Sequence, residues 1–198
     1  ASNFSPGEII YYQSIKYEGM EPGSNPMMHW LSVDENFLDC YGLEIIQGRN
    51  FDVKFPTDLQ HAYILNEAAV REFGWADPIG KSLQVDKEGT VIGVVKDFHF
   101  KSLHQDIEPL ILAVYPDLYQ NLTVRIQGSN TRETIDFIKG RMAHHAPEQV
   151  FSYTFLDDQL NTLYRMEVRL ESIFQTVAAL SLFIACLGLL GLSALTAS

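Results

Sequence analysis

The feature that most constrains this chain is its last stretch, where the residues from Ser172 to Ser198 carry no charge. As an α-helix rising about 1.5 Å per residue, this apolar segment would be roughly 40 Å long. That length exceeds the roughly 30 Å hydrocarbon core of a bilayer. A helix of a soluble protein normally keeps a polar stripe, and this segment has none. It is therefore predicted to be a transmembrane helix, the alternative being a fully buried central helix or an amphipathic dimer helix.

Small residues recur along the apolar segment. The candidate transmembrane helix contacts are Ala185, Gly188, Gly191 and Ala194. Small side chains allow two helices to approach closely in a membrane, where packing replaces the hydrophobic effect as the driving force. These positions are therefore predicted to face a neighbouring helix in the bilayer.

The stretch that leads into the apolar segment is predicted to be one uninterrupted helix. Neither glycine nor proline occurs between Asp158 and Val177, so a flexible linker is not indicated. Asp157 or Asp158 is the expected helix cap. Helical spacing places apolar side chains on one seam. The candidate dimer or stalk contacts on this seam are Leu160, Leu163, Leu170 and Phe174. A continuous helix would connect the preceding domain mechanically to the membrane.

Ahead of this helix, short strand-forming runs alternate with short helical runs, which predicts an α+β fold. Predicted strands lie within residues 9–17 and at Met27–Val33, Leu43–Phe51, Ala62–Asn66, Ser82–Asp86, Thr90–Lys96, Leu110–Val114, Leu122–Ile126 and Phe151–Phe155. Predicted helices are one capped by Asp34 and closed by Gly42, one over Glu67–Phe73, and one from Thr131 to about His144 that turns Ile135, Ile138 and Met142 inward.

The middle of the chain differs from its flanks in its pattern of predicted strands and helices. Residues 52–109 are predicted to be an inserted lobe, because the flanking segments 1–51 and 110–156 each offer strands and a helix that can pair into one small sheet. Residues 157–198 are assigned to the stalk helix and the transmembrane helix that continues it. No internal repeat or low-complexity segment interrupts this order.

Charge excludes one class of function. The chain has 25 acidic and 14 basic side chains and a formal net charge of −11, without any run of lysine or arginine. Binding to nucleic-acid phosphates requires a basic patch, so no nucleic-acid partner is expected.

Four groups of residues have the composition of a catalytic or ligand site. Asp97 and His99 would share a face of a strand, with His104 nearby, but a structural hydrogen bond at a strand end is the favoured interpretation. The pair His144–His145 suits a helix end, and Asp157–Asp158 suits a cap. The Pro78–Lys81 turn with Gly89 and Gly93 indicates the turns of a β-hairpin and not a phosphate-binding loop, because no helix begins after it to bind phosphate. No catalytic residue, cofactor or metal ligand is therefore predicted.

Taken together in order and spacing, four sets of motifs resemble those of the MacB-like periplasmic core domain joined to the FtsX-like permease region of ABC-type exporters. The motifs are Val33–Leu38 with Tyr41–Gly42 and Gly48–Phe51; Ile64–Ala69 with Pro78–Lys81; Val91–Phe100 through Ile107–Pro109; and the segment from Leu156 to Ser198. They cover most of the chain.

The resemblance implies a two-lobed extracytoplasmic domain, a porter-like α/β lobe with an inserted mixed lobe, in the bacterial inner membrane and facing the periplasm. Such a permease is transmembrane, works as a homodimer or with a paired permease, contacts membrane lipid, and is driven by a separate cytoplasmic ATP-binding subunit. The chain contains no Gly-x-x-x-x-Gly-Lys-Ser/Thr motif, so ATP chemistry has to come from that subunit. The expected role is mechanotransmission during export, without catalysis.

Two alternatives remain at this point. One is a periplasmic scaffold that binds and activates a cell-wall hydrolase or another periplasmic protein partner, with no transported substrate. The other is a soluble metal-dependent enzyme, for which the Asp97 and His99 pair supplies the only local motif and no third ligand lies near in sequence.

Overall fold

The computed structural model describes residues 1–4, 11–101, 106–159, 174–178, 180 and 181. The chain divides into two compact units, Ala1–Ser152 and Tyr153–Ser198. The strands of the first unit are β1 (Tyr11–Ser14), β2 (Lys16–Tyr17), β3 (Met27–Ser32), β4 (Ile45–Gly48), β5 (Ala62–Asn66), β6 (Ser82–Gln84), β7 (Glu88–Val95) and β8 (Leu110–Ala113). Its helices are α1 (Phe37–Tyr41), α2 (Asp58–His61), α3 (Glu67–Phe73) and α4 (Thr131–His145), with non-helical dihedrals inside α2 at Leu59 and Gln60.

These strands form one mixed sheet in the order β1-β3-β8-β5-β7-β6-β2, with β4 pairing with β7 outside this path. β5 runs parallel to β7 and antiparallel to β8, and β3 runs parallel to β8. Only Ile15 separates β1 from β2, and these two strands pair with opposite ends of the order. One segment of the chain therefore joins both edges, and the sheet closes on itself.

Both faces of the sheet are buried at its centre, where β8 is apolar throughout and β5 is apolar up to its last residue, Asn66. All five residues of β5 and all four of β8 are buried. Successive side chains of a strand point to opposite faces. Ile64 and Leu112 accordingly pack in one core with Phe37 of α1, whereas Tyr63 and Ile111 pack in a second core. This second core also contains Phe73 of α3.

The predicted mixed fold is confirmed for the first unit. Strands occur at 27–32, 62–66, 82–84, 88–95 and 110–113, and α3 spans the predicted helix at 67–73. The helix α1 begins after Asn36, so Asp34 as its cap is wrong; the Asp34 carboxylate instead accepts a hydrogen bond from the amino group of Ala1. Gly42 closes α1 as predicted.

Two predicted strands are wrong. Residues 122–126 and 151–155 are not strands, and the sheet bonding nearest to the first is a single bridge between Ser2 and Asn121. A strand needs a partner for its backbone groups, which an alternating side-chain pattern cannot provide. The helix α4 is present, but none of its residues is buried, so the inward packing predicted for Ile135, Ile138 and Met142 is only partial.

The closed sheet contains strands from residues 1–51, 52–109 and 110–156, the three segments that make up the two predicted lobes. β5, β6 and β7 come from residues 52–109, and β3 and β8 come from the flanks, which pair with each other as expected. The division into lobes at residues 52 and 109 stays a prediction.

In the second unit, residues 156–159, 174–178, 180 and 181 are helical. Within the part of the chain that the structure describes, no helix combines the length and the apolar character needed to cross a membrane.

Candidate functional site

The sheet topology gathers polar side chains at one end, which is called the polar end below. β5 ends at Asn66 opposite Val95 of β7, and His29 of β3 lies opposite Leu110 of β8. Because β8 is antiparallel to β5 and parallel to β3, the ends of β5 and β7 meet the beginnings of β8 and β3. The segments around residues 97–101 and 106–109, which belong to the motifs described above, lie at this end.

Asn66 is the central link of the polar end, and it is fully buried. Its side-chain oxygen accepts a hydrogen bond from the backbone N–H of Ala69 and another from that of Leu110, each at 2.9 Å. Its amide nitrogen donates to the backbone carbonyl of Glu108, also at 2.9 Å. The first bond caps helix α3, and the other two fix the start of β8. One side chain thus joins a helix, a strand and the loop before that strand.

Asp97 supplies a second link between β7 and α3. Its carboxylate accepts a hydrogen bond from the Ala68 N–H at 2.9 Å and forms an ion pair with Arg71 at 2.8 Å. The backbone N–H of Asp97 donates to the Glu67 carboxylate at 3.0 Å. Negative charge at the first turn of a helix is stabilised by the unpaired N–H groups there. The favoured interpretation of Asp97, a structural hydrogen bond at a strand end, is confirmed.

The other residues of the proposed acid–base or metal pair do not join it. His99 is exposed, and His104 lies outside the described residues. Across the described ranges, no group of three or more histidine, cysteine, aspartate and glutamate side chains is placed to hold a metal ion. His144 and His145 stand at the end of α4 with their rings 5.1 Å apart.

A trio of polar side chains, Lys101, Glu108 and His29, lies at the polar end beside β3. The Lys101 ammonium lies 2.6 Å from the Glu108 carboxylate and 2.9 Å from Nε2 of His29. The Tyr12 ring packs on the imidazole with 4.4 Å between ring centres. Burial, reinforced by the positive charge of Lys101 and opposed by Glu108, lowers the pKa of His29. The hydrogen bond from Lys101 lowers the pKa of Glu108. Near neutral pH the trio is therefore a Lys–Glu ion pair beside a neutral imidazole, whose Nε2 lies 2.9 Å from the Lys101 ammonium and 3.0 Å from the Glu108 carboxylate.

This arrangement predicts a loss of stability on mild acidification. Because the pKa of His29 is lower folded than its ordinary value of 6.5, the unfolded chain binds more protons below that pH. The free energy of unfolding should thus fall as the pH drops below 6.5. Glu108, which is paired with Lys101, adds a further loss of stability only below pH 4.5, the ordinary pKa of its carboxyl group. Urea unfolding of wild type and His29→Gln between pH 6.5 and pH 4.5 should show a smaller loss in the variant. Equal losses would contradict a role for His29.

Sequence reasoning missed Asn66, His29 and Glu108 as members of one site. Asn66 and Glu108 occur in two separate motifs, and neither motif indicates a contact between them. An asparagine just before Glu67-Ala68-Ala69 is a helix-cap pattern and was the available signal for Asn66. No signal in the sequence links it to Glu108, because the two residues are 42 positions apart.

The predicted stalk and membrane contacts are almost all untested by the structure. Leu160, Leu163 and Leu170 lie outside the described residues, as do Ala185, Gly188, Gly191 and Ala194. Phe174 is described, lies in a helical segment and is 72% exposed. A helical segment begins at residue 156, so Asp157 and Asp158 lie in its first turn and not at the capping position before it.

Residues 9–153 match the family model of the MacB-like periplasmic core domain. Among solved structures, the periplasmic region of MacB from Actinobacillus actinomycetemcomitans is similar, with a TM-score of 0.53, 17% identity, and coverage of 78% of this chain and 72% of that chain. A domain of a permease protein from Porphyromonas gingivalis gives a TM-score of 0.48 at 17% identity, covering 75% and 77% of the two chains.

The extracellular domain of the noncanonic ABC-type transporter YknZ from Gram-positive bacteria gives a TM-score of 0.42 at 16% identity, covering 55% of this chain and 52% of that chain. Curated proteins give no significant match. At 17% identity the likeness to the periplasmic region of MacB establishes the fold, and the family model establishes the kind of domain.

Proposed function

Since the chain belongs to the family of MacB-like periplasmic core domains, we propose that it is the extracytoplasmic domain of an ABC transporter permease that transmits movement across the membrane. A cytoplasmic ATPase on a separate chain or domain drives the movement, and the extracytoplasmic domain itself performs no catalysis. The permease sits in the bacterial inner membrane and works as a dimer or with a paired permease.

The observation that carries this proposal is the order of two features in one chain. The family match ends at residue 153, and the charge-free segment begins at Ser172. Only a short stretch without glycine or proline separates them, from Asp158 onward. A helix through this stretch would move as one piece, whereas a Gly/Ser-rich linker would absorb motion.

The closed sheet supports the same role. Its two edges are joined through Ile15, and Asn66 and Asp97 fasten helix α3 to it. A sheet buried on both faces and linked in this way behaves as a stiff body, because a packed interior deforms little. Within the proposal, the lobe of residues 52–109 and the lobe of residues 1–51 and 110–156 move together as this stiff body, and the stalk at 157–198 carries the motion.

A proline in the stalk tests the mechanical link. Full-length permease is assembled with its ATPase, with Cys40 and Cys186 replaced by serine and a spin label at the exposed position Glu21. Wild type should show an ATP-dependent change in the distance between labels of the two protomers. Met166→Pro should abolish this change, because proline breaks a helix, while the ATPase still co-purifies.

The matched control is Met166→Ala, which keeps helix propensity and should retain the distance change. A proline variant that still shows the full change would refute the mechanical link. If wild type itself shows no ATP-dependent change, the transmission role is wrong and the scaffold alternative replaces it.

A further inference from the structure

Residues 122–126 are a strand-forming segment that has no partner strand in the part of the chain that the structure describes. Their sequence, Leu-Thr-Val-Arg-Ile, is rich in residues that favour strands. The side chains alternate as in a strand, because Thr123 and Arg125 bond to helix α1 whereas Leu122 is 69% and Val124 48% exposed. Among the described residues, no backbone N–H from 122 to 126 has a hydrogen-bond acceptor. The segment therefore has the form of a strand whose backbone is unpaired.

One backbone bridge at the start of this segment shows how a partner strand would lie against it. The N–H of Ser2 donates to the Asn121 carbonyl at 3.0 Å, and the N–H of Asn121 donates to the Ser2 carbonyl at 2.9 Å. The bridge is antiparallel. In an antiparallel pair, each step back from Ser2 lies opposite one step forward from Asn121. The position opposite Leu122 is therefore that of Ala1, and polypeptide before Ala1 that keeps this direction runs along residues 123–126.

A cavity of about 180 Å³ lies where such a strand would pass. Ala1 and Ser2 line it on one side, and Leu122, Thr123 and residues of helix α1 line it on others. A single water molecule needs only about 10–15 Å³. The cavity therefore has room for larger groups, such as the side chains of an added strand.

Asp34 adds evidence that a hydrogen-bond donor belongs at this cavity. Its side chain lines the cavity, and its Oδ1 atom is buried without a partner among the described residues. A buried acceptor left unpaired is costly and uncommon. The Asp34 N–H donates to the Ala1 carbonyl at 2.9 Å, so the backbone of Ala1 points toward Asp34. Because alternate residues of a strand point their backbone groups to the same edge, the residue two positions before Ala1 would bring a further N–H to this side.

From the unpaired segment, the bridge and the cavity we infer that the polypeptide directly before Ala1 in the full-length protein is a β-strand that docks antiparallel on residues 122–126. The occupant is this chain itself, because the bridge from Ser2 to Asn121 leads its own backbone into this position, and a strand of another protein would have to displace it. Since Ser2 also bridges to Val33, the entering polypeptide is fastened to the end of β3 as well. The inference does not rest on the transmission role proposed above, and its test measures no transport or ATP-driven movement.

Disulfide formation in the full-length protein tests the register. With Cys40 and Cys186 replaced by serine, Val124→Cys is combined with a cysteine two positions before Ala1. These two positions form a pair without mutual hydrogen bonds, whose Cα atoms lie about 4.5 Å apart, a separation that a disulfide can bridge. Mild oxidation in membranes should therefore join them within one chain. The matched control places the first cysteine one position before Ala1, where the side chain points to the opposite face, and should form no disulfide.

The outcomes of the disulfide test are separated by non-reducing gels and by mass spectrometry of the joined peptides. Failure to form the disulfide, equal formation in the control, or a disulfide that joins two copies of the chain would overturn the inference. A gene whose mature product begins at Ala1 would overturn it as well.

Hydrogen exchange gives a second test. In this register the residue one position before Ala1 exchanges both backbone hydrogen bonds with Thr123. Proline there cannot donate and disrupts the pairing. The Thr123 amide should exchange at least about tenfold faster in the proline variant than in a matched alanine variant, because protection follows the free energy of local opening. The amide of the fully buried Ile64 should not change. Equal exchange at Thr123 in the two variants would contradict the inference, and if Ile64 also exchanges faster, the disulfide result decides.

Discussion

Asn66→Ala should destabilise the first unit by about 4 kcal/mol, because it leaves several backbone groups without a hydrogen-bond partner. The N–H groups of Ala69 and Leu110 belong to fully buried residues, and the alanine methyl group can accept nothing from them. The Glu108 carbonyl loses its donor at the same time. Each buried group left unpaired costs about 1–3 kcal/mol, and the loss of the helix cap is included in that sum.

The measurement is urea unfolding of the chain in mild detergent, followed by tryptophan fluorescence. Both tryptophans, Trp30 and Trp75, lie in the first unit, so the signal reports on this unit alone. For a domain of this size a loss of about 4 kcal/mol corresponds to a fall in Tm of about 10 °C. Asn130→Ala is the control, because Asn130 is exposed and its side chain makes no capping bond to α4.

The isosteric change Asn66→Asp sharpens the test. An introduced carboxylate keeps the acceptor for Ala69 and Leu110 but turns an oxygen toward the Glu108 carbonyl. Burial favours its protonated form, so its pKa should be higher in the folded chain than in the unfolded chain. This variant should therefore lose stability as pH rises. If Asn66→Ala costs no more than Asn130→Ala, Asn66 does not hold the polar end together.

Gly48→Ala should also cost about 4 kcal/mol, because it combines backbone strain with a steric clash. Gly48 has a φ of 72°, a region that residues with a Cβ atom adopt only at a cost. A Cβ atom there would lie 2.2 Å from the Ile92 carbonyl oxygen and 3.0 Å from the Gly93 Cα. Both contacts are with backbone of the paired strand β7, which cannot rotate away. The same fluorescence-detected unfolding measures the loss.

Alanine substitutions at two further glycines distinguish the cost of backbone strain from that of a steric clash. Gly74 has a φ of 66° with open space around its Cβ position, so Gly74→Ala should cost only about 1 kcal/mol. Gly140 lies inside α4 with open space and no positive φ, so alanine there should leave stability unchanged or raise it by about 0.5 kcal/mol. A loss at Gly48 no larger than that at Gly74 would show that β4 shifts to relieve the clash.

Much of the fold follows from local patterns. The run Ala62–Leu65 is apolar on both faces of its strand, and both faces are buried. The next residues, Glu67–Phe73, form a helix between an asparagine cap and a closing glycine, as their composition predicts. The motifs were specific enough in order and spacing to indicate the family, which the match over residues 9–153 confirms.

Local patterns do not show which strands pair or which side chains come into contact. An alternating pattern at Leu122–Ile126 predicts a strand, yet strand formation depends on another strand at hydrogen-bonding distance. The candidate site illustrates the limit more clearly. The sequence pattern pairs Asp97 with His99, two positions later, but the side chain of Asp97 bonds to Ala68 and Arg71, which lie 29 and 26 positions earlier.

The sequence by itself determined the kind of domain, the existence of its central strands and helix α3, and a charge-free segment long enough to cross a bilayer. These properties depend on residue type and short-range spacing. Only the tertiary structure decided that the sheet closes through Ile15, that β5 lies between β7 and β8, and that Asn66 meets Glu108. The physical reason is that such contacts join residues far apart in the chain. Their formation depends on packing of the whole core, which no local pattern encodes.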